Sequence, residues 1–162
     1  GAQRAGLRYV CISSRLTADE TDYIIENSGA KIVVLSAGLA SLAAQLTASA
    51  ERFSLGGEIA GWPPLEAELA NMPATRIADE RAGTDMLYSS GTTGRPKGVR
   101  LPLPADPKLD AVNPLLLLAA HLYGFSENSV YLSPAPLYHA APLRFCMTIH
   151  KLGGTVVMMK KF

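Results

Sequence analysis

Residues 88–99 read Tyr-Ser-Ser-Gly-Thr-Thr-Gly-Arg-Pro-Lys-Gly-Val and carry the densest chemistry in the chain. Gly91, Gly94 and Gly98 let the backbone come close to a ligand and take dihedrals closed to other residues. Ser89, Ser90, Thr92 and Thr93 add hydroxyl donors, and successive N–H groups in such a loop form a concavity for anions. Lys97 brings a cation to the same place. Together they describe a cradle for a polyphosphate. It is not a Walker A loop, which ends in Gly-Lys-Ser/Thr and opens a helix. Here Pro96 precedes the lysine and Gly98-Val99 follows it.

The elements that must hold this loop alternate along the chain. Residues 2–5 read as the end of a helix stopped by Gly6, and 9–12 as a buried strand. Thr17-Ala-Asp-Glu20 is a capping box that opens a helix carrying Tyr23, Ile24 and Ile25 and ending near Gly29. Residues 31–36 are a β-branched apolar run of the kind buried in parallel sheets, and 39–50 predict a second helix. Residues 60–79 are looser, broken by Trp62-Pro63-Pro64, with a short helix at 65–71. A strand at 86–89 enters the loop and one at 99–101 leaves it. Residues 102–107 hold three prolines and read as a surface connection. Helices follow at 115–122 and 143–151, and strands at 130–133 and 155–159, the last entered through Gly153-Gly154. Strand–helix alternation of this sort predicts an α/β fold with a largely parallel sheet flanked by helices.

Length and composition narrow the function classes. The 162 residues predict about one domain. A formal charge of +1, from 15 basic and 14 acidic residues, offers no electrostatic footprint for nucleic acid. Hydrophobic residues make up 48% before the 14 glycines are counted. An average domain reaches roughly 45–50% with glycine included. That excess fits apolar surface meant for burial against further protein, and it fits an ordinary Ala- and Leu-rich domain as well. Cys11 and Cys146 have neither metal nor disulfide spacing and read as buried free thiols of a reducing compartment. The longest apolar stretch, 114–120, is too short for a transmembrane segment, and the first residues lack the apolar core of a secretion signal. A soluble, cytoplasmic protein is expected. A first residue inside a helix and a last one directly after a strand predict a partial domain over residues 1–162.

The loop Ser89–Gly98 resembles the phosphate-loop signature of the adenylate-forming superfamily, which includes acyl-CoA synthetases, luciferases and adenylation domains. Further segments are similar to acyl-CoA ligases in order and spacing. They are Arg15-Leu-Thr-Ala-Asp-Glu20, Ser28-Gly-Ala-Lys31, Tyr131-Leu-Ser-Pro-Ala-Pro-Leu-Tyr-His139 and Leu152-Gly-Gly-Thr-Val-Val157. The resemblance implies part of the large N-terminal AMP-binding domain of a fatty-acyl-CoA ligase. It implies a two-step reaction: a carboxylate attacks the α-phosphate of ATP, giving acyl adenylate and pyrophosphate, and the thiol of coenzyme A then takes the acyl group.

By the same resemblance Ser89, Ser90, Gly91, Thr92, Thr93, Gly94 and Lys97 bind the nucleotide phosphates, with Lys97 catalytic. Ser89 lies near a magnesium ion, and His139 stands by the acyl carboxylate as a second catalytic residue. Tyr138, Ala140 and Ala141 border the acyl group or merely pack; His121 and His150 have no such context. The chain departs from the family after Val99, where Arg100-Leu-Pro-Leu-Pro replaces a Thr-His stretch leading into a helix. The family's Tyr-Gly-x-Thr-Glu motif, ribose-binding Asp, hinge and C-terminal lysine would fall beyond Phe162. The isolated piece is therefore expected to need the remainder of the enzyme. Two rival expectations are an adenylation domain loading a carrier protein and a non-catalytic phosphate-binding module from a truncated reading frame.

Overall fold

A computed structural model describes residues 1–89, 94–109, 111 and 114–159. The chain divides into two compact units: Gly1–Cys11 with Glu80–Leu87 and Leu101–Phe162, and Ile12–Asp79 with Tyr88–Arg100.

The second unit begins with helix α1 (Ala18–Ser28), and the sequence signals for it hold in detail. Thr17 N–H donates to Glu20 Oε2 at 2.9 Å and Glu20 N–H donates to Thr17 Oγ1 at 3.3 Å, completing the capping box. Gly29 ends the helix at φ +69°, a left-handed conformation that a side chain resists. Strand β2 (Ile32–Ser36) follows and pairs in parallel, in register from Ile32–Glu51 to Ser36–Leu55, with β3 (Glu51–Leu55).

That second strand was not anticipated, and the helix expected over 39–50 is much shorter. A 3-10 turn at Ala37–Leu39 leads into α2 (Ala40–Ala43), and regular structure stops there. The cause is competition for backbone groups. The buried carboxylate of Asp22 accepts from Thr47 N–H and Thr47 Oγ1, both at 2.7 Å, and from Ala48 N–H at 3.0 Å. The Arg52 guanidinium donates to the carbonyls of Leu46 and Ala48 at 3.1 and 3.0 Å. Groups that would extend the helix are thus taken by side chains from elsewhere. Ile25, Ala43, Leu46, Ala48, Ile59 and Trp62 form the core under this corner. Helix α3 (Leu65–Ala70) packs beside β3.

In the first unit, β1 (Arg8–Tyr9) pairs in parallel with β4 (Thr84–Ser89) through Thr84 and Asp85. The approach depends on Gly83. A Cβ there would lie 2.1 Å from the Leu7 carbonyl oxygen, so any side chain would force the strands apart. The first residues form a 3-10 turn, Ala2–Arg4, with Gly6 at φ +70°. Arg4 ion-pairs with Glu80. Helices α4 (Pro114–Tyr123) and α5 (Ala140–Lys151) lie against one another, and α5 also packs on the parallel pair β6 (Val130–Ser133) and β7 (Thr155–Met158). Ile149 is fully buried at that contact, and Tyr123, Phe125, Tyr131 and Phe145 cluster with ring centroids 5.5–6.4 Å apart.

The fold class is α/β with helix-flanked parallel pairs, as the alternation predicts. Among the described residues the strands are spread over three small sheets. Residues 31–36 were read as buried on both faces. Val33 and Leu35 do pack on the core, but Ile32 and Val34 face outward, 52% and 45% exposed. Cys146 is buried and Cys11 only partly so; burial pushes the Cys11 thiol pKa up, with the Asp85 charge adding to the effect.

Candidate functional site

Strand β4 crosses the boundary between the units. Thr84–Leu87 belongs to the first, and Tyr88 and Ser89 to the second, where β5 (Lys97–Arg100) is the neighbouring strand. Burial along β4 changes accordingly: Asp85, Met86 and Leu87 are buried, Tyr88 is partly buried, and Ser89 is exposed. The strand therefore delivers its last residue to solvent, where a ligand can reach it.

Ser89 Oγ lies 3.5 Å from the Lys97 carbonyl oxygen, the outer limit of a hydrogen bond. Lys97 is exposed and opens β5, so the lysine expected in the loop is anchored at the foot of a strand. Gly94 adopts φ +141°, and a Cβ there would meet no atom of the described residues within 4 Å. Of the residues expected to bind phosphate, Ser89 and the backbone of Lys97 are thus brought together. Ser90, Gly91, Thr92 and Thr93 lie outside the described residues.

Helix α1 supports both flanks of this turn. The Tyr88 hydroxyl donates to Asn27 Oδ1 at 2.7 Å, and the Arg95 guanidinium carbon sits 5.0 Å from the centroid of the Tyr23 ring. Burial pushes the Tyr88 phenol pKa up, and the nearby Tyr23 adds to that. These contacts were not anticipated. The available signal was the four-residue spacing of Tyr23 and Asn27, which places them on one face of a helix.

His139 belongs to the first unit. It is the N-cap of α5, with β-region dihedrals of −93° and 146°. Its backbone carbonyl accepts from Leu143 N–H at 3.2 Å. Its imidazole makes no capping hydrogen bond among the described residues and is exposed, with the ring 4.5 Å from that of Tyr138 at 51°. A core histidine pinned to backbone would look different; this side chain is open to solvent. His121 and His150 are exposed on α4 and α5.

In the same unit Arg144 of α5 makes a two-pronged contact with Asp85 of β4: Nη2 to Oδ2 at 2.9 Å and Nε to Oδ1 at 3.3 Å. Tyr9 stands nearby, its phenol pKa pushed up to about 12 by burial and then by the Asp85 charge. An acidic residue directly before the apolar run Met86-Leu87 was the clue that a buried carboxylate needed a partner.

The residues fit a nucleotide phosphate better than a protein-only metal site. Among the described residues no three His, Cys, Asp or Glu side chains gather to hold an ion. Ser89 contributes one neutral oxygen, so magnesium here would take most of its shell from phosphate and water. Among the described residues no helix is long and apolar enough to cross a membrane.

The chain is 32% identical over 149 residues to a 4-hydroxybenzoate–CoA/benzoate–CoA ligase of Rhodopseudomonas palustris, covering 86% of this chain and 26% of that protein. It is 29% identical to the long-chain-fatty-acid–CoA ligase FadD13 of Mycobacterium tuberculosis, covering 100% and 32%. The crystal structure of ATP-bound MatB from Rhodopseudomonas palustris superposes with a TM-score of 0.64 at 30% identity, covering 98% of this chain and 31% of that one. The chain thus spans about a quarter to a third of the length of these relatives. The model of the AMP-binding enzyme family matches residues 1–162 in full, and the chain belongs to that family.

Proposed function

We propose that this chain supplies the phosphate-binding portion of an ATP-dependent acid–thiol ligase of the AMP-forming, acyl-CoA synthetase kind. The observation that carries the reading is the meeting of Ser89 and Lys97 at the adjoining ends of β4 and β5. In the first step a carboxylate oxygen bonds to the α-phosphorus of ATP and the bond to the bridging oxygen of pyrophosphate breaks. Negative charge grows on that leaving group. In this reading Lys97 and the Ser89 hydroxyl stabilise it, and the glycine at 94 lets phosphate oxygens approach the backbone. Magnesium bound with the nucleotide would neutralise further charge, with Ser89 as one oxygen of its shell. In the second step the thiol of coenzyme A attacks the acyl carbon and releases AMP. To His139, exposed at the start of α5, we assign the orienting of the carboxylate by a ring N–H.

A medium- or long-chain fatty acid is our choice of substrate, supported by the full-length match of this chain to a fatty-acid ligase. The match to a benzoate ligase makes aromatic acids the comparison. The test is ATP–pyrophosphate exchange by the full-length protein containing this chain, with decanoate, palmitate and benzoate, followed by addition of CoA. Exchange that depends on a fatty acid, and acyl-CoA detected by mass, is the expected result. Exchange with benzoate alone would reassign the acid. Transfer to a carrier protein but not to CoA would reassign the acceptor. ATP binding without exchange would leave only a phosphate-binding module.

A further inference from the structure

We propose that Tyr23 and Asn27 are positioning residues for the nucleotide, holding from one face of α1 the two segments that carry Ser89 and Lys97. The inference deepens the ATP-ligase reading and rests on it.

Tyr23 and Asn27 are four residues apart and therefore neighbours on the helix surface. Asn27 takes the hydroxyl of Tyr88, the residue just before Ser89, at 2.7 Å. Tyr23 takes the guanidinium of Arg95, which only Pro96 separates from Lys97, at 5.0 Å from the ring centroid. Proline fixes one backbone dihedral, so the placement of Arg95 carries over to Lys97. Both ends of the turn are thus referred to one helix. That helix is itself fixed: its capping box is complete, Ile24 and Ile25 are buried, and Asp22 is bonded to Thr47 and Ala48. Asn27 and Arg95 are exposed, so core packing does not account for these contacts. Groups that stabilise developing charge work when they are held in place before the reaction, and side chains supported by rigid elements hold best. A weak contact at each end suffices, because the turn needs to be kept in register and not to be buried.

The test uses the full-length protein with decanoate as carboxylate probe. Tyr23→Leu removes the ring face and Tyr23→Phe keeps it. Asn27→Ala removes the acceptor and Asn27→Asp keeps one for the Tyr88 hydroxyl. Tyr23→Leu and Asn27→Ala should each raise the KM for ATP in pyrophosphate exchange by about threefold to tenfold, the scale of a lost exposed cation–π or neutral hydrogen bond. The KM for decanoate and the melting temperature should stay put, and Tyr23→Phe and Asn27→Asp should recover most of the loss. Trypsin cleavage at Lys97–Gly98 should be faster in the two disruptive variants. Unchanged KM for ATP and unchanged cleavage in both would overturn the proposal, as would a parallel rise in both KM values with a fall in melting temperature. If the unmutated protein shows no exchange with any carboxylate tested, the ligase reading fails, and the dissociation constants of the variants for ATP then test the positioning role by themselves. Cleavage rates then still report whether α1 holds the turn.

Discussion

Lys97 and His139 are both exposed, which makes their removal informative: neither supports a core, so lost activity is not lost folding. In the full-length enzyme, Lys97→Ala should slow ATP–pyrophosphate exchange roughly 10- to 100-fold. A charge-assisted contact to phosphate is worth on the order of 1.5–3 kcal/mol, and each 1.36 kcal/mol is about tenfold in rate. Binding of the acid, measured by calorimetry, should hardly change, because only interactions stronger in the transition state lower the rate selectively. Lys97→Arg should restore part of the rate, since charge returns with a different geometry. His139→Ala should raise the KM for the carboxylate about tenfold or reduce kcat by a similar factor, as expected for one positioned polar group. Its melting temperature should stay near that of the parent, because the imidazole makes no capping bond to α5 among the described residues. A large loss of stability with unchanged activity would return His139 to a structural role.

At the scale of elements, Asp22 is the residue on which the second unit's corner depends. Burial by itself would raise its pKa. The bonds from Thr47 and Ala48 and the charge of Arg52 outweigh burial and hold it below the ordinary carboxylate value of 3.8. Asp22→Ala should cost about 2–4 kcal/mol, since it leaves the Ala48 N–H buried and unpaired as well as removing charged hydrogen bonds. The pH dependence follows from the depressed pKa. The stabilisation is fully present above the unfolded value and is lost as the pH falls through the folded one. Urea unfolding of parent and Asp22→Ala should therefore differ most at neutral pH and converge in acid, as the pH falls through the lowered folded-state pKa. A gap that persists undiminished in acid would show that the ionised carboxylate is not what holds this corner.

At the scale of the whole molecule, the 162 residues leave apolar strand faces open. On β6, Val130 and Leu132 are 71% and 55% exposed while Tyr131 and Ser133 turn inward, and Ile32 and Val34 do the same on β2. Leu117, Leu118 and Leu122 of α4 are exposed as well. Exposed apolar surface favours association. As a free polypeptide, this chain should self-associate in light scattering and bind a hydrophobic dye; a clean monomer at high concentration, dark to the dye, would contradict this. The same polypeptide, spanning 26–32% of the curated ligases it matches, should form no acyl-CoA from ATP, CoA and decanoate. Robust turnover would mean that these residues are a sufficient catalyst.

What was legible in the sequence was whatever depends on near neighbours. The capping box of α1, its glycine stop, the apolar strands at 32–36 and 130–133 and the two later helices are all set by residues a few positions apart, so local pattern suffices to read them. The pattern on which the phosphate-binding proposal for residues 89–98 rests is local too, because glycines, hydroxyls and a lysine within ten positions carry it. The tertiary structure decided the rest. The helix expected over 39–50 stops at Ala43 because Asp22, 25 residues before Thr47, and Arg52 capture the backbone groups that would have continued it. Strand β3 exists because β2 offers it an edge, not because Glu51–Leu55 alternates clearly. Asp85 finds Arg144 across 59 positions, and Tyr88 finds Asn27 across 61. Such partners are chosen by which elements pack together, and no local pattern encodes that choice.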